Sequence, residues 1–271
     1  GSAGASISIT VASGVATLYY YCSSHSGMGG QINTNTTHGS TNFDGSILSV
    51  EQRNTTAGFS IVLHTGTGSA STIGHGLGVA PDWIITKGRT NTNHWTILHS
   101  SLGATKFIDL NQTNASDTAT SVWNDTNPTS TVFSVGTNSR INGSSVTYVS
   151  YCFAEIEGYS KFGSYTGNDS ADGNMIFTNF APALVIIKYV SGTAGGTKNW
   201  YMYDNKRSPQ NVNDNTLIAN GSDAESADSA FDIDFLSNGF KLRNAEGAVN
   251  NGAEYIYMAF AEAPFKYANA R

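Results

Sequence analysis

Short segments rich in β-branched and aromatic residues alternate along this chain with clusters of Gly, Asn and Ser. Such segments are typical of β-strands, and the polar clusters between them are typical of turns. No segment shows the 3.6-residue periodicity of a long amphipathic helix. The pattern therefore predicts an all-β fold of antiparallel sandwiches. The clearest strand segments are SIVLHT (60–65), DWIITK (82–87), HWTILH (94–99), TVFSV (131–135) and VTYVSYCFA (146–154).

Much of the chain consists of two similar sequences in tandem. Residues 80–87 read APDWIITK and residues 181–188 read APALVIIK, and other pairs occur in the same order at offsets of 101 to 107 residues. That period suits a complete small domain and is too long for a solenoid repeat. We expect two tandem homologous jelly-roll-like β-sandwich domains, at 58–158 and 159–271, after a β or extended N-terminal segment and linker at 1–57. The other pairs are HTG (64–66) with YTG (165–167), NHW (93–95) with KNW (198–200), and TYVSYCFAE (147–155) with EYIYMAFAE (254–262).

The alternation of side chains along the strands indicates which aromatic residues are buried. Trp95 and Ile97 share one face of their strand, and Trp200 and Met202 share the corresponding face in the second copy. An apolar partner two residues further on indicates a core position. We therefore expect both tryptophans in the core.

On the opposite face of that strand the second copy carries Tyr201 and Tyr203. If this face meets solvent, the two rings form an aromatic surface on which a sugar ring or another subunit can stack. Lys206 and Arg207 follow directly in the sequence. These four residues are the candidate ligand-binding residues, and the alternative is that the tyrosines are half-buried sheet residues without a ligand.

Composition limits the classes of partner. Charged residues make up 13% of the 271-residue chain, its net charge is -6, and Lys and Arg form no cluster. Because nucleic-acid binding requires clustered positive charge, we expect no nucleic-acid partner. No apolar stretch approaches the roughly 20 residues of a membrane-spanning helix, so we also expect no membrane insertion.

The segment Cys22-x-x-His25-x-x-Met28 resembles the ligand loop of cupredoxins, in which a thiolate, an imidazole and a thioether hold copper. A blue-copper site also needs a second histidine upstream, and the residues before Cys22 contain none. We therefore expect a remnant of a cupredoxin-like sheet that binds no metal and no cofactor. The chain has only one other cysteine, Cys152, and two cysteines are too few for a disulfide framework. Either one bridge to Cys22 or two free thiols stay open.

No set of catalytic residues stands out. The histidines of the first copy lack metal-ligand spacing. Glu155 and Glu262 occupy equivalent positions after an aromatic strand, and Asp232 alternates with Asp234 on one strand. Paired carboxylates about 5 to 10 Å apart can cleave a glycosidic bond, but equivalent positions in two copies favour duplicated structural residues. We expect no enzymatic activity.

Several segments together resemble a repeat at the C-terminal ends of large virion proteins of marine tailed bacteriophages. Members of that group are described as tail-fibre or structural proteins. The resemblance covers nearly the whole chain, and the ordered series is more specific than any single motif. The segments are YCSSHSGMGG (21–30), GHGLGVAPDWIITKGR (74–89), YCFAEIEGYSKFGSYTGN (151–168), NWYMYDNKR (199–207), DIDFLSNGFKLR (232–243) and YIYMAFAEAPFKYANAR (255–271).

The resemblance implies a non-enzymatic virion component in a tail or surface appendage, namely the distal, receptor-binding part of a tail fibre. Its expected partners are a host-surface glycan or protein and other virion subunits. Such appendages are commonly symmetric homo-oligomers, so a trimer is expected. Two alternatives stay open: a capsid or tail decoration protein with purely structural contacts, and a secreted carbohydrate-binding module or glycan depolymerase.

Overall fold

The computed structural model describes residues 18–21, 29–32, 39–192, 198–245 and 248–264. It is nearly all β, with 45% of residues in strands and 3% in helices, and its sheets are antiparallel. The predicted all-β class is therefore confirmed. The chain divides into two compact units, Gly1–Ser40 and Thr41–Arg271.

In its described residues the first unit is a two-stranded antiparallel sheet. It is formed by β1 (Leu18–Tyr21) and β2 (Gly29–Ile32). Residues 22–28 between these strands lie outside the described residues, and the cupredoxin-like set of Cys22, His25 and Met28 lies there.

From the third strand onward the chain forms a first pair of sheets, which we call large sheet A and small sheet A. The elements are β3 (Ser40–Asn42), β4 (Ser49–Asn54), β5 (Phe59–Thr65), β6 (Ser71–Gly74), β7 (Trp83–Gly88), β8 (Thr96–His99), β9 (Lys106–Asp109), β10 (Asp117–Thr118), α1 (Thr120–Trp123), β11 (Val132–Val135) and β12 (Thr147–Phe153). Large sheet A has the strand order β10-β9-β8-β7-β12-β5-β4-β3, and small sheet A is β11-β6.

The remaining chain forms large sheet B and small sheet B. The elements are β13 (Ser160–Thr166), β14 (Met175–Phe177), β15 (Pro182–Ser191), β16 (Trp200–Asp204), β17 (Asn215–Ile218), β18 (Ser226–Ala227), a 3-10 helix (Ser229–Phe231), β19 (Ile233–Leu236), β20 (Gly239–Leu242) and β21 (Glu254–Ala261). Large sheet B has the order β13-β21-β15-β16-β17-β18, and small sheet B is β14-β20-β19.

The two large sheets share one connectivity. From β5 to its β10 edge, large sheet A has the order β5-β12-β7-β8-β9-β10. Large sheet B has the order β13-β21-β15-β16-β17-β18. In large sheet A, β12 pairs with β5 on one side and with β7 on the other. In large sheet B, β21 pairs in the same way with β13 and β15. This order supports the interpretation that the sequence contains two copies of one unit. Both copies nevertheless lie in a single compact unit that begins at Thr41.

Residues 41–57, the last part of the predicted β or extended N-terminal segment and linker, widen large sheet A. Strand β4 pairs with β5 along its whole length. The polar side chains that give this segment a linker-like sequence are buried and hydrogen-bonded: Ser49 Oγ donates to Gly74 O at 2.8 Å, and Asn42 Nδ2 donates to Glu51 Oε2 at 2.9 Å. Buried polar groups with partners are compatible with a packed sheet.

Three apolar layers hold the second unit together. One lies between large and small sheet A and includes Val62, Trp123 and Phe133, and one lies between large and small sheet B. The third is formed by the two large sheets, whose outer faces pack on each other. In this interlayer the rings of Trp83 and Trp200 lie 5.7 Å apart. Each large sheet is therefore apolar on both faces.

The expectation that Tyr201 and Tyr203 face solvent is wrong. Their exposed fractions are 1% and 0%, and both belong to the core between large and small sheet B. Trp200, on the other face of β16, belongs to the interlayer. The alternation along the strand was read correctly, but both faces are covered, so no aromatic platform forms on this strand.

The two tryptophans expected in the core have different surroundings. Trp200 is fully buried, and its Nε1 donates to Asp109 O at 3.0 Å across the interlayer. Trp95 precedes β8, is only partly buried, and stacks on Tyr151 with a 6.4 Å separation of ring centroids. The core position is therefore confirmed for Trp200 and wrong for Trp95.

We predict that Trp200→Ala lowers the free energy of unfolding by about 3–5 kcal/mol, because it leaves a large cavity and removes one hydrogen bond to the Asp109 carbonyl. Trp95→Ala is the matched control and should have a clearly smaller effect, since its ring is partly exposed. Urea denaturation followed by circular dichroism measures both values. Equal losses in the two variants would contradict the interlayer role of Trp200.

Candidate functional site

An open cleft lies at one end of large sheet B, where β15 begins and where β16, β19 and β21 end. Its volume is about 440 Å³, which is within the range of ligand-binding clefts. The β16–β17 loop, residues 205–214, forms one wall. Phe235 and Leu236 supply apolar surface, and the polar side chains of the lining are Asn205, Lys206, Ser208, Gln210, Asn211, Ser237 and Glu262.

The guanidinium group of Arg207 holds the β16–β17 loop in place. Its Nε donates to Asp204 Oδ2 at 2.6 Å and its Nη1 donates to Glu225 Oε2 at 2.9 Å. The same guanidinium donates to the backbone carbonyls of Met202 and Asn215 at 3.0 and 3.1 Å. Burial by itself would raise the pKa of Asp204, but the hydrogen bonds from Arg207 outweigh it and lower that pKa. A charged network with several partners therefore fixes the loop conformation.

Two further contacts tie the loop to its neighbours. The Asn211 side chain donates to Phe235 O at 2.8 Å and accepts from Phe235 N at 2.9 Å. The backbone N–H of Asn205 donates to Ala183 O at 3.0 Å. These hydrogen bonds to backbone groups hold the walls of the cleft in place, which favours a preformed site.

Five polar side chains of the lining retain unused hydrogen-bonding capacity. Within the part of the chain that the structure describes, their side chains make no hydrogen bond and no ion pair. They comprise two amides, a hydroxyl, an ammonium group and a carboxylate, so the cleft offers both donors and acceptors. These residues are Asn205, Lys206, Gln210, Ser237 and Glu262.

The corresponding end of large sheet A is built differently. Glu155, the counterpart of Glu262, forms an ion pair with Lys161 at 2.6 Å, and its backbone N–H donates to Asp82 Oδ2 at 2.8 Å. The β8–β9 loop comprises residues 100–105 and is shorter than the β16–β17 loop. The second copy therefore gains a longer loop and a carboxylate without an ion pair among the described residues.

The candidate ligand residues predicted from the sequence have three different positions. Lys206 lies on the exposed wall of the cleft. Arg207 belongs to the loop and holds it in place through its guanidinium group, and Tyr201 and Tyr203 are in the core. Sequence reasoning missed Asn205, Gln210 and Ser237, and the available signal was the length of NKRSPQNVND (205–214) relative to SSLGAT (100–105).

The described residues contain no group of three or more His, Cys, Asp or Glu side chains arranged to hold a metal. The Cys152 thiol is free and buried, and burial raises its pKa. No helix within the described ranges is long and apolar enough to span a membrane.

A family model described as "Domain of unknown function (DUF7483)" matches residues 33–264. The chain belongs to this family. Neither the curated proteins nor the solved structures give a match. The matched residues run through both large sheets, so the DUF7483 domain comprises both sheet pairs and the cleft.

His64 and Tyr165 have matching roles in the two halves of the DUF7483 domain. His64 stacks on Tyr148 at 5.0 Å and 14°, and its Nε2 lies 3.1 Å from Ile141 O. Tyr165 stacks on Tyr255 at 5.1 Å and 14°, and its hydroxyl donates to a backbone carbonyl at 2.7 Å. Burial lowers the pKa of His64 to about 4, so its neutral form donates this hydrogen bond.

We predict that His64→Tyr reduces the acid sensitivity of the fold. Because the folded pKa of His64 lies below its unfolded value of 6.5, the unfolded chain binds more protons, and stability falls as the pH falls from 6.5 through 4. The tyrosine does not titrate in this range. Thermal unfolding across this pH window should show a shallower decline than in the wild type, and an unchanged decline would contradict the assignment. The same variant at pH 7 controls for retention of the fold.

We predict that Arg207→Ala and Lys206→Ala separate loop anchoring from ligand contact. Arg207→Ala should lower the free energy of unfolding by about 1–3 kcal/mol, since it removes the guanidinium hydrogen bonds to two carboxylates and two carbonyls. Lys206→Ala should stay within about 0.5 kcal/mol of the wild type, as expected for an exposed side chain without partners. Urea denaturation measures the free energy of unfolding of both variants. Equal losses would contradict the role of Arg207 in holding the loop.

Proposed function

We propose that the chain is a virion component of tailed bacteriophages, in a tail fibre or another surface appendage, and that it binds a host-surface glycan in the cleft of large sheet B. The placement in a virion is supported by the sequence resemblance. The choice of ligand is supported by the cleft, and the observation that carries it is the convergence of five polar side chains with unused hydrogen-bonding capacity.

The chemistry of the lining fits a saccharide. Sugar hydroxyls both donate and accept, so they match a site that mixes amides, a hydroxyl and opposite charges. Phe235 is partly buried beside these groups and offers an apolar surface to the C–H face of a sugar ring. Lys206 and Glu262 bring opposite charges to the cleft, so the lining favours no strongly charged polymer.

Binding is favoured over hydrolysis. Glycosidases use two carboxylic acids on either side of the scissile bond. Glu262 is the one carboxylate among the described lining residues. The polar groups of the lining can therefore orient a sugar, and no pair of acids is placed to cleave it.

We predict that Glu262→Gln and Lys206→Ala each weaken glycan binding by about tenfold or more, because a hydrogen bond to a charged group contributes about 1.5–3 kcal/mol. Glu155→Gln is the matched control, since Glu155 occupies the equivalent position in the first copy. Binding is measured with the labelled full chain on an array of bacterial surface polysaccharides.

Each outcome of this experiment bears on the proposal. Loss of binding in the cleft variants with retention in Glu155→Gln supports it. Shortening of the bound polysaccharide by the purified chain would overturn the non-enzymatic role in favour of a depolymerase. Absence of binding to the array and to host cells, together with binding to purified capsids or tails, would favour a decoration protein.

A further inference from the structure

Large apolar side chains are exposed along one margin of large sheet A. Phe43, Leu48, Val50 and Leu63 have exposed fractions of 78, 57, 37 and 36%. Val50 and Leu63 each follow a buried residue on their strand, so they point away from small sheet A and its core. Phe43 and Leu48 lie in the connection between β3 and β4. Several such residues on one side of a sheet form a patch, and apolar patches of this kind mark interaction sites.

The cross-strand register makes this patch continuous. Val50 lies opposite Leu63, and Leu63 lies opposite Val149. In the next row, Gln52 lies opposite Ile61, and Ile61 lies opposite Tyr151. Strands β4, β5 and β12 thus present a surface that is apolar apart from Gln52, and we call it the margin of sheet A.

The margin of sheet A is the uncovered part of a face that already forms a sheet-on-sheet contact. The row of Ile61 and Tyr151 continues through Ile85 to Ile97, which is buried against large sheet B. Large sheet A is two strands wider, because β3 and β4 have no counterpart in large sheet B. Among the described residues, large sheet B therefore does not extend over the margin.

We propose that the margin of sheet A binds the same surface of a second copy of this chain, in a twofold contact that differs from the trimer implied by the sequence resemblance. A twofold contact places like residues near each other, so it requires a surface that does not repel itself. The two rows contain a single charged residue, Lys87, at their inner end. The Lys87 ammonium group donates hydrogen bonds to Gly88 O and Asn91 O, so it is bound to carbonyl groups at the end of β7 and in the loop that follows.

The contact is an extension of the packing inside the molecule. Large sheet A already packs face to face on a sheet of the same connectivity, and aligned sheets stack about 10 Å apart with interdigitating side chains. The margin continues that apolar face to the edge strand. A second copy related by a twofold axis would cover it with the same kind of layer.

Sedimentation velocity of the full chain over a wide concentration range tests this contact. The wild type should self-associate, and Leu63→Glu should weaken the association by more than about tenfold, because it buries an unpaired charge. Val79→Glu is the matched control, since Val79 is 49% exposed but lies in the loop before β7. It should associate as the wild type does.

Val50→Lys provides a second variant if Leu63→Glu unfolds, and circular dichroism identifies that case. A monomeric wild type at every concentration overturns the proposal. So does an oligomer that persists in both margin variants, or one that Val79→Glu disrupts equally.

Discussion

The contact between the two large sheets is the constraint on which the rest of the molecule depends. Trp83 and Trp200 meet at its centre, and the indole N–H of Trp200 donates to the carbonyl of Asp109 in the other half. His99 Nε2 lies 3.3 Å from Tyr257 O across the same contact, and burial lowers the pKa of His99 to about 4. Because the interlayer excludes water, these two hydrogen bonds offset the cost of burying the Trp200 and His99 ring nitrogens. The two halves are therefore mutually dependent and form one compact unit.

The same constraint explains an unusual buried lysine. Lys188 is fully buried, and its Nζ donates to Gln112 O in the other half and to Lys198 O. Burial, followed by repulsion from Lys198, lowers its pKa to about 7. A neutral amine has two N–H groups, which match the two carbonyl acceptors. Burial in the interlayer thus lowers the pKa of both His99 and Lys188.

The strands and the alternation of faces were readable from the sequence, since both follow from local periodicity. Which faces meet solvent was not readable, because it depends on packing between residues far apart in the chain. Tyr201 and Tyr203 illustrate the limit: their side of β16 was identified, but small sheet B covers it. The polar segment 41–57 illustrates a second limit, since Ser49 and Glu51 resemble linker residues and are buried with partners. The cleft was missed because a long loop does not reveal in sequence where its side chains converge.

The two halves share the strand order of their large sheets and differ in the loops at the strand ends, and the cleft lies at such an end. Residues in the interlayer are constrained by the opposite sheet, whereas loops at the strand ends are constrained only locally. In the first half the short β8–β9 loop lies at the end where Glu155 pairs with Lys161. In the second half Arg207 fixes the longer loop, and the side chains of Asn205, Lys206 and Gln210 make no hydrogen bond within the described ranges. The two sheet pairs can therefore differ at their strand ends while the interlayer between the large sheets is kept.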